Sequence, residues 1–233
     1  RRPGSLHPEG GRPYGSLTAH DAFHLKPSAL TTTLSSTVTE KELRVPMVQL
    51  SIAGTEETYT VSPTKIIALG FNYMEHVDEE NSVLESGRNG RDIPSEPILF
   101  PMTPNVLIGP GEPIVIPAFL EEYGFDDPRV DYEAELAVII GSTCKNVSEE
   151  EALDHVYGYT CMNDVSQRNL QRSDKSGWFR GKSLDTFGPI GPQIVPARDI
   201  PDPQKLAIRC RLNGKVVQEA STADMIFPVA YTI

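Results

Sequence analysis

The run Val130-Asp131-Tyr132-Glu133-Ala134-Glu135-Leu136-Ala137-Val138-Ile139-Ile140-Gly141 constrains the fold more than any other stretch of this chain. It reads as a strand, in which side chains alternate faces, so Asp131, Glu133, Glu135, Ala137 and Ile139 share one side. Tyr132, Ala134, Leu136, Val138 and Ile140 make an apolar opposite side, and the acidic side itself turns apolar at Ala137. A strand apolar on both faces belongs in a sheet that is covered on both sides. Glu133 and Glu135 then point the same way from the end of a buried strand. Ionised carboxylates taken out of water are costly unless they are solvated, paired with a cation or ligated to a metal. Two readings stay open from this motif alone: a solvent-facing edge strand, or an acid pair that holds a cation.

Around this run the chain is built from short apolar segments separated by Gly and Pro. Residues 1–44 are rich in Gly, Pro, Ser and Thr and lack periodicity, which predicts an irregular arm. Alternation from Met47 through Val61 about Ala53-Gly54-Thr55 predicts a hairpin, so residues 1–64 read as an arm and a small hairpin module before a main domain at 65–233. Further strands are expected at Lys65–Leu69, Pro97–Phe100, Asn105–Ile108, Ile114–Ile116 and Tyr157–Met162. A helix capped by Ser148 should run to about Val156, and a shorter one should cover Gln167–Gln171. Asn213-Gly214 suits a type I′ turn joining Leu206–Leu212 to Lys215–Glu219. Many strands with few short helices predict an α+β fold, mixed and mostly β.

Composition excludes several partners. A net charge of -11 disfavours nucleic acid and anionic membranes, which call for basic surface. No stretch approaches the ~20 apolar residues of a membrane span. Cys144, Cys161 and Cys210 lack metal-type spacing and read as buried free thiols, which implies a reducing compartment, the cytoplasm.

Asp164 ends the strand after the acidic one, so pairing of the two strands would gather Glu133, Glu135 and Asp164 at one spot. Three carboxylates suit a hard cation, Mg²⁺ or Mn²⁺, with about three octahedral positions left for water and substrate. The plainer role for Asp164 is capping the helix that follows. His76 and Glu79 are spaced so that the carboxylate could orient the imidazole as a general base; the plainer reading is an exposed histidine in a polar loop. Lys182 lies among aromatic, Gly and Pro residues rather than in a charged run, where it could neutralise a carboxylate or a developing enolate.

Taken together, Gly70-x-Asn72-Tyr73-x-x-His76, Asp131-Tyr132-Glu133-x-Glu135-Leu136, Asn163-Asp164-Val165-Ser166-x-Arg168, Gly181-Lys182-Ser183-x-Asp185-Thr186-Phe187, Asn213-Gly214 and Asp224-Met225-Ile226-Phe227 resemble the fumarylacetoacetate hydrolase family, over about residues 65–233. The resemblance implies a mixed, mostly β roll and a divalent metal, usually Mg²⁺ with Mn²⁺ or Ca²⁺ as alternatives, held by Glu133, Glu135 and Asp164. It implies His76 with Glu79 as a water-activating pair on a lid, Lys182 beside the metal, and Tyr73, Arg168 and Lys182 as contacts to a 2-oxo acid substrate. Homodimers are common in the family. Its activities include hydrolysis of acylpyruvates and fumarylacetoacetate, decarboxylation of oxaloacetate and isomerisation of hydroxymuconate-type dienoates. Its members continue past the helix begun at Asp224–Phe227, whereas this sequence stops at Ile233, so the catalytic domain is expected to lack its C-terminal part. Two rival expectations remain: an inactive relative serving as an interaction module, and a β protein whose carboxylates bind Ca²⁺ or Mg²⁺ only to tie strands together.

Overall fold

A computed structural model describes residues 46–74, 93–173 and 178–233. The strands, in chain order, are β1 (Val48–Ile52), β2 (Thr58–Val61), β3 (Ile66–Gly70), β4 (Ile98–Met102), β5 (Leu107–Ile108), β6 (Val130–Asp131), β7 (Ala134–Ile140), β8 (Val156–Asn163), β9 (Ser166–Gln167), β10 (Gly188–Pro196), β11 (Ala207–Leu212) and β12 (Lys215–Ser221). The α-helices are short: α1 (Glu149–Ala152), α2 (Arg168–Ser173), α3 (Phe179–Lys182) and α4 (Val229–Thr232). The expected arm at 1–44 and most of the polar stretch after Asn81 lie outside the described residues.

The main sheet runs β2-β1-β10-β8-β7, with β5 also pairing β10. β1 lies parallel to β10, while β8 is antiparallel to both β10 and β7. The hairpin expected to stand apart as a module is therefore part of this sheet, because β1 finds its second hydrogen-bonding neighbour in β10. Cohesion follows the same line, with Val45–Ile233 forming one compact unit.

The acidic run is broken where a single strand was expected. β6 pairs with β9, and after Tyr132 and Glu133 the chain resumes as β7 beside β8. Both sides of β7 are nevertheless covered, as its pattern demands. Ala137 and Ile139 pack on a core of Val48, Leu50, Val61, Phe100, Met102, Val106, Leu107, Ile190 and Ile194. Leu136 and Val138 pack with Val156, Tyr159 and Val229. Among the described residues β7 ends the sheet's strand order, an edge strand whose side chains are half-buried on both faces up to the exposed Ile140.

Local signals mostly hold. Ser148 meets the Glu151 carboxylate through both its backbone N–H and its hydroxyl, closing a capping box. The α-helix it starts tightens into a 3-10 turn at Leu153–His155, so helical backbone reaches the expected end where Val156 opens β8. Asn213 and Gly214 both take positive φ, 50° and 79°, as a type I′ turn requires between β11 and β12. Ile114–Ile116 forms no strand and is exposed, with the Val115 N–H donating to Thr186 Oγ1. The three cysteines are free, but contrary to expectation none is buried: Cys161 in β8 is exposed, and Cys210 in β11 and Cys144 in the loop after β7 are half-buried.

Candidate functional site

Backbone pairing assembles the site. The β7–β8 register sets Ala134 opposite Asn163 and Glu135 opposite Met162. Just beyond it, the Asp164 N–H donates to the Glu133 carbonyl at 2.8 Å, and the Glu133 N–H donates to Asn163 Oδ1 at 2.9 Å. Glu133 and Asp164 are thus fastened side by side where the two strands end. Into the gap between them α3 delivers Lys182, whose side chain is 2% exposed. Its Nζ donates to Glu133 Oε2 at 2.5 Å and to Asp164 Oδ2 at 2.7 Å. The Phe100 ring lies 5.4 Å from the same ammonium, adding a cation–π contact.

Arg168, the first residue of α2, closes the other side. Its Nη1 donates to Glu133 Oε1 at 2.6 Å and to Gln171 Oε1 at 3.0 Å, while Nε and Nη2 donate to Asp131 Oδ2 at 3.0 and 2.8 Å. Both oxygens of Glu133 are therefore held by cations, whereas Asp164 Oδ1 is buried without a partner among the described residues. The Glu135 carboxylate makes no hydrogen bond or ion pair with a described residue.

Protonation follows this geometry. Burial pushes Glu133 up, but Lys182 and Arg168 outweigh it and hold the carboxyl below its ordinary range. Asp164 shares Lys182 but lacks a direct bond to Arg168, so burial and the Glu133 charge push it up to about 6. Burial and the charges of Glu133 and Asp164 push Glu135 up to about 8. Tyr73 forms a β-bridge with Met225; its hydroxyl is raised by burial and by Glu135 and Asp224, and it has no hydrogen-bond partner among the described residues.

These donors fit a divalent cation. Three carboxylates that share two cations, one with an orphaned oxygen and one without a described partner, are the hard oxygen set that Mg²⁺ prefers. As they stand, no three acid, imidazole or thiol side chains among the described residues enclose an ion. The Lys182 ammonium occupies the cationic position between Glu133 and Asp164.

The structure thus brings together Glu133, Glu135, Asp164, Lys182 and Arg168, and sets Tyr73 within electrostatic reach of Glu135. His76 and Glu79 lie outside the described residues. The capping role for Asp164 is not taken up: its carboxylate bonds Lys182, and the Leu170 N–H in α2 donates to the Gln167 side chain. Arg168, expected to contact substrate, has four of its five N–H donors engaged by Asp131, Glu133 and Gln171. Sequence reasoning missed Asn163, whose position beside Asp164 at a strand end was the available signal. It also missed Gln218, whose amide donates to the Ala134 carbonyl and accepts from the Ala134 N–H, and nothing in the local sequence marks that role.

A pH dependence follows. Glu135 and Asp164 have folded values above their ordinary 4.5 and 3.8, so the folded state binds more protons than the unfolded one between about pH 4 and 8. Their stabilisation is complete only below about pH 4 and is lost progressively as pH rises to 6 for Asp164 and to 8 for Glu135. Glu133 acts in the opposite sense, but only below its ordinary 4.5. In chelator the melting temperature is expected to fall on the order of 5 °C between pH 5.5 and 8.5 in scanning calorimetry. A flat or rising profile would contradict the placement of these two acids.

The expectation of a known family is met by comparison. Residues 65–233 match the profile of the fumarylacetoacetate (FAA) hydrolase C-terminal domain. The mitochondrial oxaloacetate tautomerase fahd2 of Xenopus laevis is 43% identical over 167 residues, which is 71% of this chain and 47% of that protein. Among solved structures, the 2-hydroxyhepta-2,4-diene-1,7-dioate isomerase of Mycobacterium marinum superposes with a TM-score of 0.59 at 34% identity, covering 76% of this chain and 62% of its own. The 5-carboxymethyl-2-hydroxymuconate delta-isomerase of Mycobacterium smegmatis gives a TM-score of 0.58 at 36% identity, covering 72% and 57%. This chain therefore spans about half to two thirds of the length of these relatives. A profile match across the residues that supply both the acid cluster and Lys182 makes the chain a member of the fumarylacetoacetate hydrolase family.

Proposed function

We propose that this chain carries the site of a divalent-cation-dependent enzyme that moves a proton on a 2-oxo acid through its enolate, as a tautomerase or isomerase. The observation that carries the reading is the buried cluster of Glu133, Glu135 and Asp164 around Lys182, an acid-rich oxygen set suited to holding the divalent cation that an enolate oxygen needs. Mg²⁺, with Mn²⁺ or Ca²⁺ as substitutes, would be held by the three carboxylates and would supply Lewis acidity that polarises the 2-oxo group.

The remaining work belongs to the chain's own residues. Lys182 offers the ammonium through which a proton can be held or passed beside the reacting carbon. Glu133 is kept ionised by Lys182 and Arg168. Tyr73 presents a neutral hydroxyl near Glu135, suited to donating a hydrogen bond to substrate. The relatives named as an oxaloacetate tautomerase and as hydroxymuconate-type isomerases support this chemistry.

Carbon–carbon cleavage of a 2,4-dioxo acid, an acylpyruvate or fumarylacetoacetate type, is the second reading. It is favoured by the family profile and needs a water activated by His76 oriented by Glu79. Decarboxylation of oxaloacetate would use the same enolate without that water. In this reading the enzyme acts in the cytoplasm as a pair of identical chains. The test is an assay of oxaloacetate enol–keto exchange, a hydroxymuconate-type dienoate and an acylpyruvate, each with Mg²⁺ and with chelator. Cation-dependent turnover of the first two supports proton transfer, and turnover of the acylpyruvate supports hydrolysis. Silence on all three, with intact Mg²⁺ binding, would defeat the enzymatic reading.

A further inference from the structure

Asp131 and Arg168 are joined twice. Their backbones meet through the β6–β9 ladder, which pairs Asp131 with Ser166 and Val130 with Gln167, and the Arg168 N–H donates to the Arg129 carbonyl at 2.8 Å. Their side chains meet through the Nε and Nη2 edge of the guanidinium on a single oxygen, Asp131 Oδ2. The other oxygen, Oδ1, accepts from the Tyr132 N–H at 3.0 Å, so the carboxylate itself is fixed. A guanidinium is planar and rigid, so fixing one edge fixes the direction of the remaining nitrogen. That nitrogen, Nη1, points at Glu133 Oε1.

Stability does not explain this pair. The Asp131 side chain is 44% exposed, and ion pairs so open to water contribute little. Nor is Arg168 arranged as a free substrate clamp, since described residues engage four of its five N–H donors. What the arrangement does accomplish is orientation. Lys182 holds one oxygen of Glu133, Arg168 the other, and Asp131 holds Arg168.

We propose that Asp131 is a positioning residue that acts through Arg168 to set the orientation of the Glu133 carboxylate for cation binding. The inference rests on the proposed cation-dependent site. Outer carboxylates of this kind typically alter cation affinity by about 10- to 100-fold when removed. Asp131 acts only through its neighbours, with Oδ1 taken by the Tyr132 N–H and Oδ2 by Arg168.

The experiment measures Mn²⁺ binding to the full chain by isothermal titration calorimetry, which reads affinity without turnover. Asp131→Asn keeps the shape but weakens the hold on the Arg168 edge, and is expected to loosen Mn²⁺ about tenfold. Asp131→Glu, which can still reach the guanidinium, is expected to recover part of that loss. Asp127→Asn removes an equal charge from a nearby exposed acid that bonds Arg129 instead, and should change affinity less than twofold. Should Asp131→Asn fail to fold, Arg168→Lys carries the same test, because an ammonium lacks the fork that spans Asp131 and Glu133. Unchanged affinity in the Asp131 and Arg168 variants, or an equal loss in Asp127→Asn, overturns the inference alone. Absence of Mn²⁺ binding to the unaltered chain overturns the reading of the site and this inference with it.

Discussion

Glu135→Gln is expected to raise the melting temperature of the cation-free protein at pH 8 and, in the same molecule, to abolish cation affinity. The Glu135 carboxyl lacks a described partner and is pushed up to about 8 by burial and by two neighbouring acids, so above its ordinary 4.5 folding must pay to protonate it, and at pH 8 that cost is nearly complete. Glutamine keeps the shape and removes the charge. The gain should be on the order of 5 °C in chelator, shrinking to nothing below about pH 4, where the carboxyl is protonated in the folded and unfolded chain alike. The loss is that of a direct cation ligand, and should exceed the roughly 100-fold that outer residues cost. Calorimetric melting and Mg²⁺ titration of the same preparation read both quantities. A fall in melting temperature would instead make Glu135 a structural tie between strands, as one of the rival sequence readings holds.

Lys182→Met is expected to act in the reverse sense. Its ammonium is the cation shared by Glu133 and Asp164 in a setting nearly closed to solvent. Removing one partner of a buried ionic cluster leaves uncompensated charge and costs about 3–5 kcal/mol. For a chain of this size the melting temperature in chelator should fall by roughly 10 °C. Two further readouts separate this from simple damage to packing. Stability should recover as pH falls, because the stranded carboxylates can then be protonated, and it should recover with millimolar Mn²⁺, which supplies the missing charge. Turnover should not return with either treatment. A variant that is as stable as the parent in chelator would show that Lys182 does not balance these acids.

Much of this site was legible because strand alternation and strand pairing are simple rules. The apolar flanks of Glu133 and Glu135 announced a strand covered on two faces, and Ala137 with Ile139 on one side and Leu136 with Val138 on the other bear that out. Adjacent pairing of the runs ending at Glu133 and Asp164 was enough to place three carboxylates together. The break at Tyr132 and Glu133 was not legible. Alternation describes one strand's faces and says nothing of a change of partner, and here β6 joins β9 while β7 joins β8. The ion pairs that Arg168 makes were not legible for a related reason. Sequence showed a cation near acids, but only the geometry showed Asp131 and Glu133 consuming nearly all of its donors. The hairpin at Met47–Val61 was recognised by its turn, while its place in the main sheet depends on a pairing with β10 more than a hundred residues away.

Gln218 ties the β11–β12 hairpin to the peptide of Ala134 by giving one hydrogen bond and taking another. Ala134 is the residue between the two acids that open the site. Mechanically, the hairpin is a lever with its fulcrum at the acid pair. A force applied near Asn213-Gly214 must either break both ties, each contributing about 1 kcal/mol, or move the backbone that carries Glu133 and Glu135. Whatever rests on the outer end of that hairpin thereby gains a grip on the spacing of the carboxylates.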